Sequence, residues 1–516
     1  MRRSVLLAMV LAVCCACGAG PSTRPHVAVE QERGGAPEPT ELEDPNAPPP
    51  PLEAPHSDVT WVDCGQQTLD RSGLGALPEG VVLECGHYEA PIDKSGSLPG
   101  SFQVGMLRAR APETPPDAAP LVLTSGSDRP STNQLAALMA TGGKDMLATN
   151  PIVAVDRRGI GTSLEIECLT EAERIDINNL TPAGGMTGDR VDAMAALGRE
   201  ATIACTDYLQ PQELAFDTTH AADDIETLRE LWEVPALGLI GTGNGAAVAL
   251  SYAAKYPDRV GRLVLDSPPA ATADSVTITE ERVQGQEAAL DFFARQCAAL
   301  NCSLGPDPRG AVSDLVDSAR AGRLPDVSAN AALTAIAATL GSPTSDNQAR
   351  VRNLADALSA AREGDTAALQ GLASRGATAT QRDGQLIARC SDGQQWPAPD
   401  RVRELYRTWQ DAYPVFGPES ALGMLACGAW PATAPPALPT DLKVPVLVLS
   451  GVADPVVGNA GLGSATGAVE AAGAPTSTVT WHGAGHPVVS TDCARKSIGA
   501  YFAEAELPAD GNACPG

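Results

Sequence analysis

Short apolar runs alternate with amphipathic stretches through much of the chain. Leu121 to Thr124 and Ile152 to Val155 are too short for helices and carry no polar alternation, the pattern of strands buried on both faces. Ala221 to Trp232 places Ile225, Leu228 and Trp232 on one helical face, and Pro235 ends it before a third strand, Leu237 to Ile240. Gly245 to Lys255 reads as the next helix, closed by Pro257, and Arg262 to Asp266 as the next strand. This alternation predicts an α/β fold, a mostly parallel sheet with helices on both faces. From about Ala270 to Ala429 the strand signals fade, and helices are expected near Arg282 to Ala299, Val351 to Arg362 and Pro399 to Ala412. Strands return at Val444 to Ser450 and Ser477 to Trp481. The simplest organisation is one sheet interrupted by a helical insertion: a first core part over 58–269, the insertion over 270–429, and a C-terminal core part over 430–516.

The ends of this pattern change the picture. Arg2 and Arg3 precede an apolar run from Val5 to Val13, which is too short to span a bilayer and reads as a signal peptide over 1–16. Cys17, between the small residues Ala16 and Gly18, sits where a bacterial lipobox cysteine would be lipidated; the alternative is an ordinary signal peptide with chance cysteines. Residues 17–57 are rich in Pro, Glu and Gly, a composition that cannot bury a core and reads as a disordered tether. The expected location is therefore the cell envelope, exported and held to the outer face of the cytoplasmic membrane by an N-terminal lipid alone. A net charge of -27 argues against nucleic acid as a partner, because phosphate backbones are held by clustered Lys and Arg.

Removing Cys14, Cys15 and Cys17 from the thirteen cysteines leaves Cys64, Cys85, Cys168, Cys205, Cys297, Cys302, Cys390, Cys427, Cys493 and Cys514. An even set in an exported chain points to disulfides, most simply five bridges between sequence neighbours, although spacing does not fix the connectivity. No His, Asp or Cys cluster has metal-ligand spacing, so neither a metal nor another cofactor is expected.

The chemistry gathers at Ile240-Gly241-Thr242-Gly243-Asn244-Gly245, between a strand and a helix. In α/β-hydrolases this junction is G-x-S-x-G, a strained turn that presents a serine nucleophile. Gly241 and Gly245 take the two flanking places, which puts Gly243 where the serine belongs. Shifting the frame to make Thr242 the nucleophile would put Ile240 and Asn244 where small residues are needed. Asp454 follows one later strand and His486 the next, completing the order nucleophile, acid, base.

The chain resembles the actinobacterial tripeptidyl aminopeptidase-like hydrolases, exported serine peptidases related to proline iminopeptidase. The resemblance rests on Asp156-Arg157-Arg158-Gly159-Ile160-Gly161-Thr162-Ser163, on Leu263 to Asp266, on the Cys390-Ser391-Asp392 and Cys427 to Pro431 segments, and on the last two cysteines. It implies an α/β-hydrolase fold, an insertion that forms a lid, and an Asp454 that orients His486 as general base. The chain departs from the family at the serine, replaced by Gly243, and at the oxyanion loop. That loop here reads Ser125-Gly126-Ser127-Asp128-Arg129-Pro130, with Asp128 bringing the wrong charge to a developing oxyanion. Three functional expectations follow. One is a pseudohydrolase that binds a small peptide or lipid-like ligand. Another is a hydrolase using His486-activated water or a displaced serine, Ser125 or Ser127. The third is a purely structural lipoprotein.

Overall fold

The computed structural model describes residues 50–181 and 189–516; Cys17, the apolar leader and most of the expected tether lie outside them. The chain begins with β1 (Val62–Asp63), α1 (Gly65–Ser72), β2 (Val82–Pro91), β3 (Ser101–Arg110), β4 (Leu121–Thr124), α2 (Ser131–Ala140) and β5 (Ile152–Val155). There follow α3 (Glu171–Asn179), α4 (Arg190–Leu209), α5 (Thr218–Trp232), β6 (Leu237–Thr242), α6 (Asn244–Lys255) and β7 (Val260–Asp266). Next come the helices α7 (Ser275–Ala299), α8 (Pro308–Arg320), α9 (Ala329–Leu340), α10 (Asn347–Arg362), α11 (Ala367–Thr380), α12 (Asp383–Asp392), α13 (Pro399–Ala412) and α14 (Gly417–Gly423). The chain returns to the sheet with β8 (Val446–Ala453), α15 (Leu462–Ala471), β9 (Thr476–Ala484), α16 (Asp492–Glu504) and β10 (Asn512–Cys514).

The strands form one sheet in the order β1-β2-β3-β5-β4-β6-β7-β8-β9-β10. It is antiparallel from β1 to the β3–β5 pair and parallel from β5 to β10. Alternate residues of each central strand enter opposite cores. Val122, Leu239, Leu263 and Val448 face one layer of helices, and Leu123, Ile240, Val264 and Leu447 the other. Both sides are covered, so these strands read as continuous apolar runs. The strand order reverses at β4, which pairs with both β5 and β6. Loops leaving neighbouring strands on either side of such a reversal diverge and leave a crevice at the carboxyl ends.

The helices α7 to α14 build the insertion around its own core, with Val283, Phe293, Ile336, Leu358 and Trp409 buried within it. The insertion has a second contributor that the sequence reading assigned to the sheet domain. Met194 and Cys205 of α4 share a core with Ile387, Val402 and Leu425, so α3 and α4 belong physically to the cap. The β2–β3 ribbon also went unread, because Val82–Pro91 mixes exposed polar positions with buried ones at the antiparallel end of the sheet. Packing begins before position 57, inside the span expected to be tether. Leu52 packs against the sheet domain, filling space that glycine leaves at Gly238 and Gly261, and Arg262 Nη1 donates to the Pro50 carbonyl at 3.3 Å.

The five disulfides join sequence neighbours: Cys64–Cys85, Cys168–Cys205, Cys297–Cys302, Cys390–Cys427 and Cys493–Cys514. Among the described residues no helix is long and apolar enough to cross a membrane.

Candidate active site

Register brings the site together. Thr124 pairs with Gly241 and Ala453 with Ala484, so the loops after β4 and β6, and those after β8 and β9, leave the same edge of the sheet as neighbours. Gly243 turns the chain from β6 into α6 with φ 55° and ψ -127°, and its N–H donates to the Asp266 carbonyl at 2.8 Å. A positive φ with this ψ is a conformation that side chains adopt only under strain, and it is the geometry a nucleophile elbow requires. The flanking glycines are needed for close approach, since a Cβ on Gly241 would meet the Gly245–Ala246 backbone and one on Gly245 the Thr124 carbonyl. The frame is therefore that read from the sequence. Thr242 is fully buried and its hydroxyl accepts from Gln134 Nε2 at 2.7 Å.

His486 lies beside the elbow. Its Nδ1 is 2.8 Å from Asp454 Oδ2, and Asp454 is fixed in turn by the backbone N–H groups of Val456 at 2.8 Å and Val457 at 3.2 Å. This pairing makes Nδ1 the protonated nitrogen of the neutral ring and leaves Nε2 facing the elbow. A Cβ on Gly243 would lie 3.3 Å from Nε2, which is buried and has no hydrogen-bond partner among the described residues. Burial opposes charge on the imidazole, but Asp454's charge and hydrogen bond outweigh it, so the ring's pKa stands above its ordinary value. Asp266 was not singled out from sequence as a site residue. Its fully buried carboxylate accepts from the N–H groups of Val488 at 3.1 Å and Val489 at 2.7 Å, holding the turn that carries His486.

The place of the missing serine is filled from the side. Asp128 extends from the loop after β4, and a Cβ on Gly243 would overlap its Oδ2. The same oxygen accepts the Asn244 N–H at 2.7 Å, while Oδ1 accepts from Asn244 Nδ2 at 2.6 Å. The Asn244 N–H follows the nucleophile position at the start of α6, where a hydrolase would receive the oxyanion. Asp128, when ionised, thus supplies a resident carboxylate to a donor meant for a transient oxyanion, at a helix end that favours negative charge. Burial raises its pKa to about 6, partly offset by the nearby His486 charge and the Asn244 N–H.

Neither candidate replacement serine reaches Nε2. Ser125 is fully buried with its hydroxyl donating to the Arg129 carbonyl at 2.9 Å, and Ser127 Oγ accepts from Asn244 Nδ2 at 3.3 Å. The motif from Asp156 to Ser163 works as a joint rather than as chemistry. Asp156 clamps Thr132 and Thr162, and Arg157 makes a two-pronged pair with Asp392 of α12, at 2.5 and 2.8 Å, that ties cap to core.

Above Asp128 and Asn244 a cavity of ≈ 300 Å³ extends under the cap. Apolar residues such as Leu333, Trp396 and Phe416 line it together with Arg129, Arg282 and Arg389. Among the described residues no group of three or more His, Cys, Asp or Glu is arranged to hold a metal ion.

Comparison with known proteins agrees with this geometry. Residues 151–308 match the family model described as alpha/beta hydrolase fold, and residues 413–514 the one described as TAP-like protein. The serine protease Hip1 of Mycobacterium tuberculosis (strain CDC 1551 / Oshkosh) is 25% identical over 494 residues, covering 88% of this chain and 91% of that one. A tripeptidyl aminopeptidase of Streptomyces lividans is 27% identical over 124 residues, covering 24% of this chain and 23% of its own. With its sheet order, its elbow, and an acid and a base in family order, the chain belongs to the TAP-like α/β-hydrolase family.

Proposed function

We propose that this chain is an exported pseudohydrolase: it keeps the pocket of a peptidase-like hydrolase and binds a ligand there without cleaving it. One observation carries the reading. Gly243 offers no nucleophile, and the carboxylate of Asp128 occupies both the space of the absent side chain and the N–H that would stabilise an oxyanion. A carbonyl brought to this elbow would meet a carboxylate in place of an attacking hydroxyl and an anion in place of a donor, and both oppose acyl transfer.

The test is covalent labelling of the full chain with a fluorophosphonate probe. The native protein and Gly243→Ser alone are expected to stay unlabelled, because a side chain at 243 collides with Asp128. Gly243→Ser combined with Asp128→Ala is expected to label, since the dyad is already in place. Labelling of the native protein would overturn the proposal.

A second reading is favoured by the unpartnered Nε2 of His486, from which a water could be activated for direct hydrolysis. Peptide-amide or ester turnover by the native protein that disappears in His486→Ala would establish it. The Asp128 carboxylate works against this route, because it fills the space beside Nε2 and holds the Asn244 N–H that would stabilise an oxyanion.

A further inference from the structure

The charged groups around the cavity divide into two sets. Asp392 is bound to Arg157, and Glu419 to Arg320 at 2.6 Å, so these ion pairs are complete within the protein. Arg282 of α7 and Arg389 of α12 also line the cavity, yet neither makes an ion pair or donates a hydrogen bond among the described residues. Arg129 joins them; it donates Nη2 to the Gly341 carbonyl at 3.2 Å, and its buried Nε has no partner. Of the carboxylates lining the cavity, that leaves Asp128 to face these three guanidinium groups, and it is already engaged by Asn244.

Such an arrangement is costly for a protein standing alone. A guanidinium withdrawn from water without a partner loses its hydration, and two close enough to repel add to the penalty. The strain registers on both side chains. Burial pulls Arg389 down to about 10, with the charge of Arg282 adding to the effect, and burial lowers Arg282 as well; the Asp128 charge offsets part of this in both. The surplus of positive charge is also local, because the chain as a whole carries -27. Two helices of the cap therefore converge unpaired cations on a cavity in an otherwise acidic molecule.

We infer that the cavity is a receptor for an organic anion, a carboxylate or phosphate group on a partly apolar body, with the anionic group taken by Arg282 and Arg389. Guanidinium forks match the paired oxygens of both groups. The volume suits a ligand of short-peptide size, and the apolar wall formed by Leu333, Trp396 and Phe416 gives its uncharged part a place. This inference rests on the reading of the cavity as a binding site that does not turn its ligand over, and it names the class of ligand.

The experiment is titration calorimetry on the full chain with two matched pairs of probes. One pair is N-acetyl-Ala-Leu-Ala as free acid and as amide; the other is hexyl phosphate and hexanol. At least one anion is expected to bind about tenfold or more tighter than its neutral counterpart. That preference is expected to fall away in Arg282→Gln and Arg389→Gln. Preference for the acid assigns the source to a carboxylate, and preference for the phosphate to a phosphate ester. Because neither arginine holds the fold together, both variants are expected to melt no lower than the native protein, which separates lost binding from lost structure. Equal binding of charged and neutral probes, no binding of either anion, or a preference that survives in the double variant would each overturn the inference. Recovery of hydrolysed acetyl-peptide amide would count against the pseudohydrolase reading, while the arginine dependence of affinity would still be decided by the titrations.

Discussion

Asp128 shows how one side chain can carry both a loss and a gain. Its ordinary value is 3.8, and burial raises it to about 6 in the folded protein. Between those values the unfolded chain has released its proton while the folded chain retains it. Stability from this group is therefore present below pH 3.8 and lost as the pH rises through about 6. Asp128→Asn removes the titration. The variant is expected to match the native protein near pH 4 and to exceed it at pH 7.5, by something on the order of 2 kcal/mol once partial exposure to the cavity is allowed for. Chemical denaturation at the two pH values measures this, and a native protein more stable than the variant at pH 7.5 would contradict it. The outcome has a functional meaning, since a charge kept at the expense of stability is retained for what it does at the site.

Among the elements, the strut between the loop after β5 and helix α12 has the clearest mechanical role. Arg157 is almost fully buried and spends its guanidinium on Asp392, with the Phe216 carbonyl as a further acceptor. Asp392→Asn leaves that cation underpaired between cap and core, and a loss of roughly 3 kcal/mol in unfolding free energy is expected. Denaturant titration followed by tryptophan fluorescence would show it, with Trp396 reporting from the cap. The same elements explain what the sequence could tell. Leu121–Thr124 and Ile152–Val155 coincide with strands because they are buried on both faces and their side chains need no polar alternation. Gly243, Asp454 and His486 were legible because a strand, a turn and a fixed order surround each of them. Asp128 was legible as a misplaced charge, but its grip on the Asn244 N–H was not. Asp266 was legible only as the end of a strand, and Arg282 and Arg389 not as site residues, because what distinguishes them is burial and the presence or absence of a partner, which arise only when distant segments meet. The allegiance of α4 to the cap was hidden for the same reason, since Met194 and Cys205 look alike whichever core receives them.

On the scale of the whole molecule, the site and the root of the N-terminal segment lie at opposite ends of the strands. Leu52 sits against Gly238 and Gly261, near the beginnings of β6 and β7, while Gly243 follows the end of β6. The lipid expected on Cys17 would attach N-terminal to this root. Membrane fractionation checks the anchor: Cys17→Ala is expected to move the protein from the membrane pellet to the soluble fraction, and an unchanged distribution would refute lipidation at that residue. The bridges are compatible with an oxidising, extracytoplasmic setting, and Cys168–Cys205 and Cys390–Cys427 fall in the two segments that build the cap.

The overlap between Asp128 and a side chain at 243 makes the two positions interdependent. Seating a serine at the elbow requires the carboxylate to turn away, and as it turns it releases the Asn244 N–H. Removing the aspartate alone frees that donor but leaves Gly243 with no group to attack. The effect of a change at one position is therefore set by the residue at the other, a strong dependence of the kind expected between touching residues. Substitutions taken one at a time would miss what the pair can do.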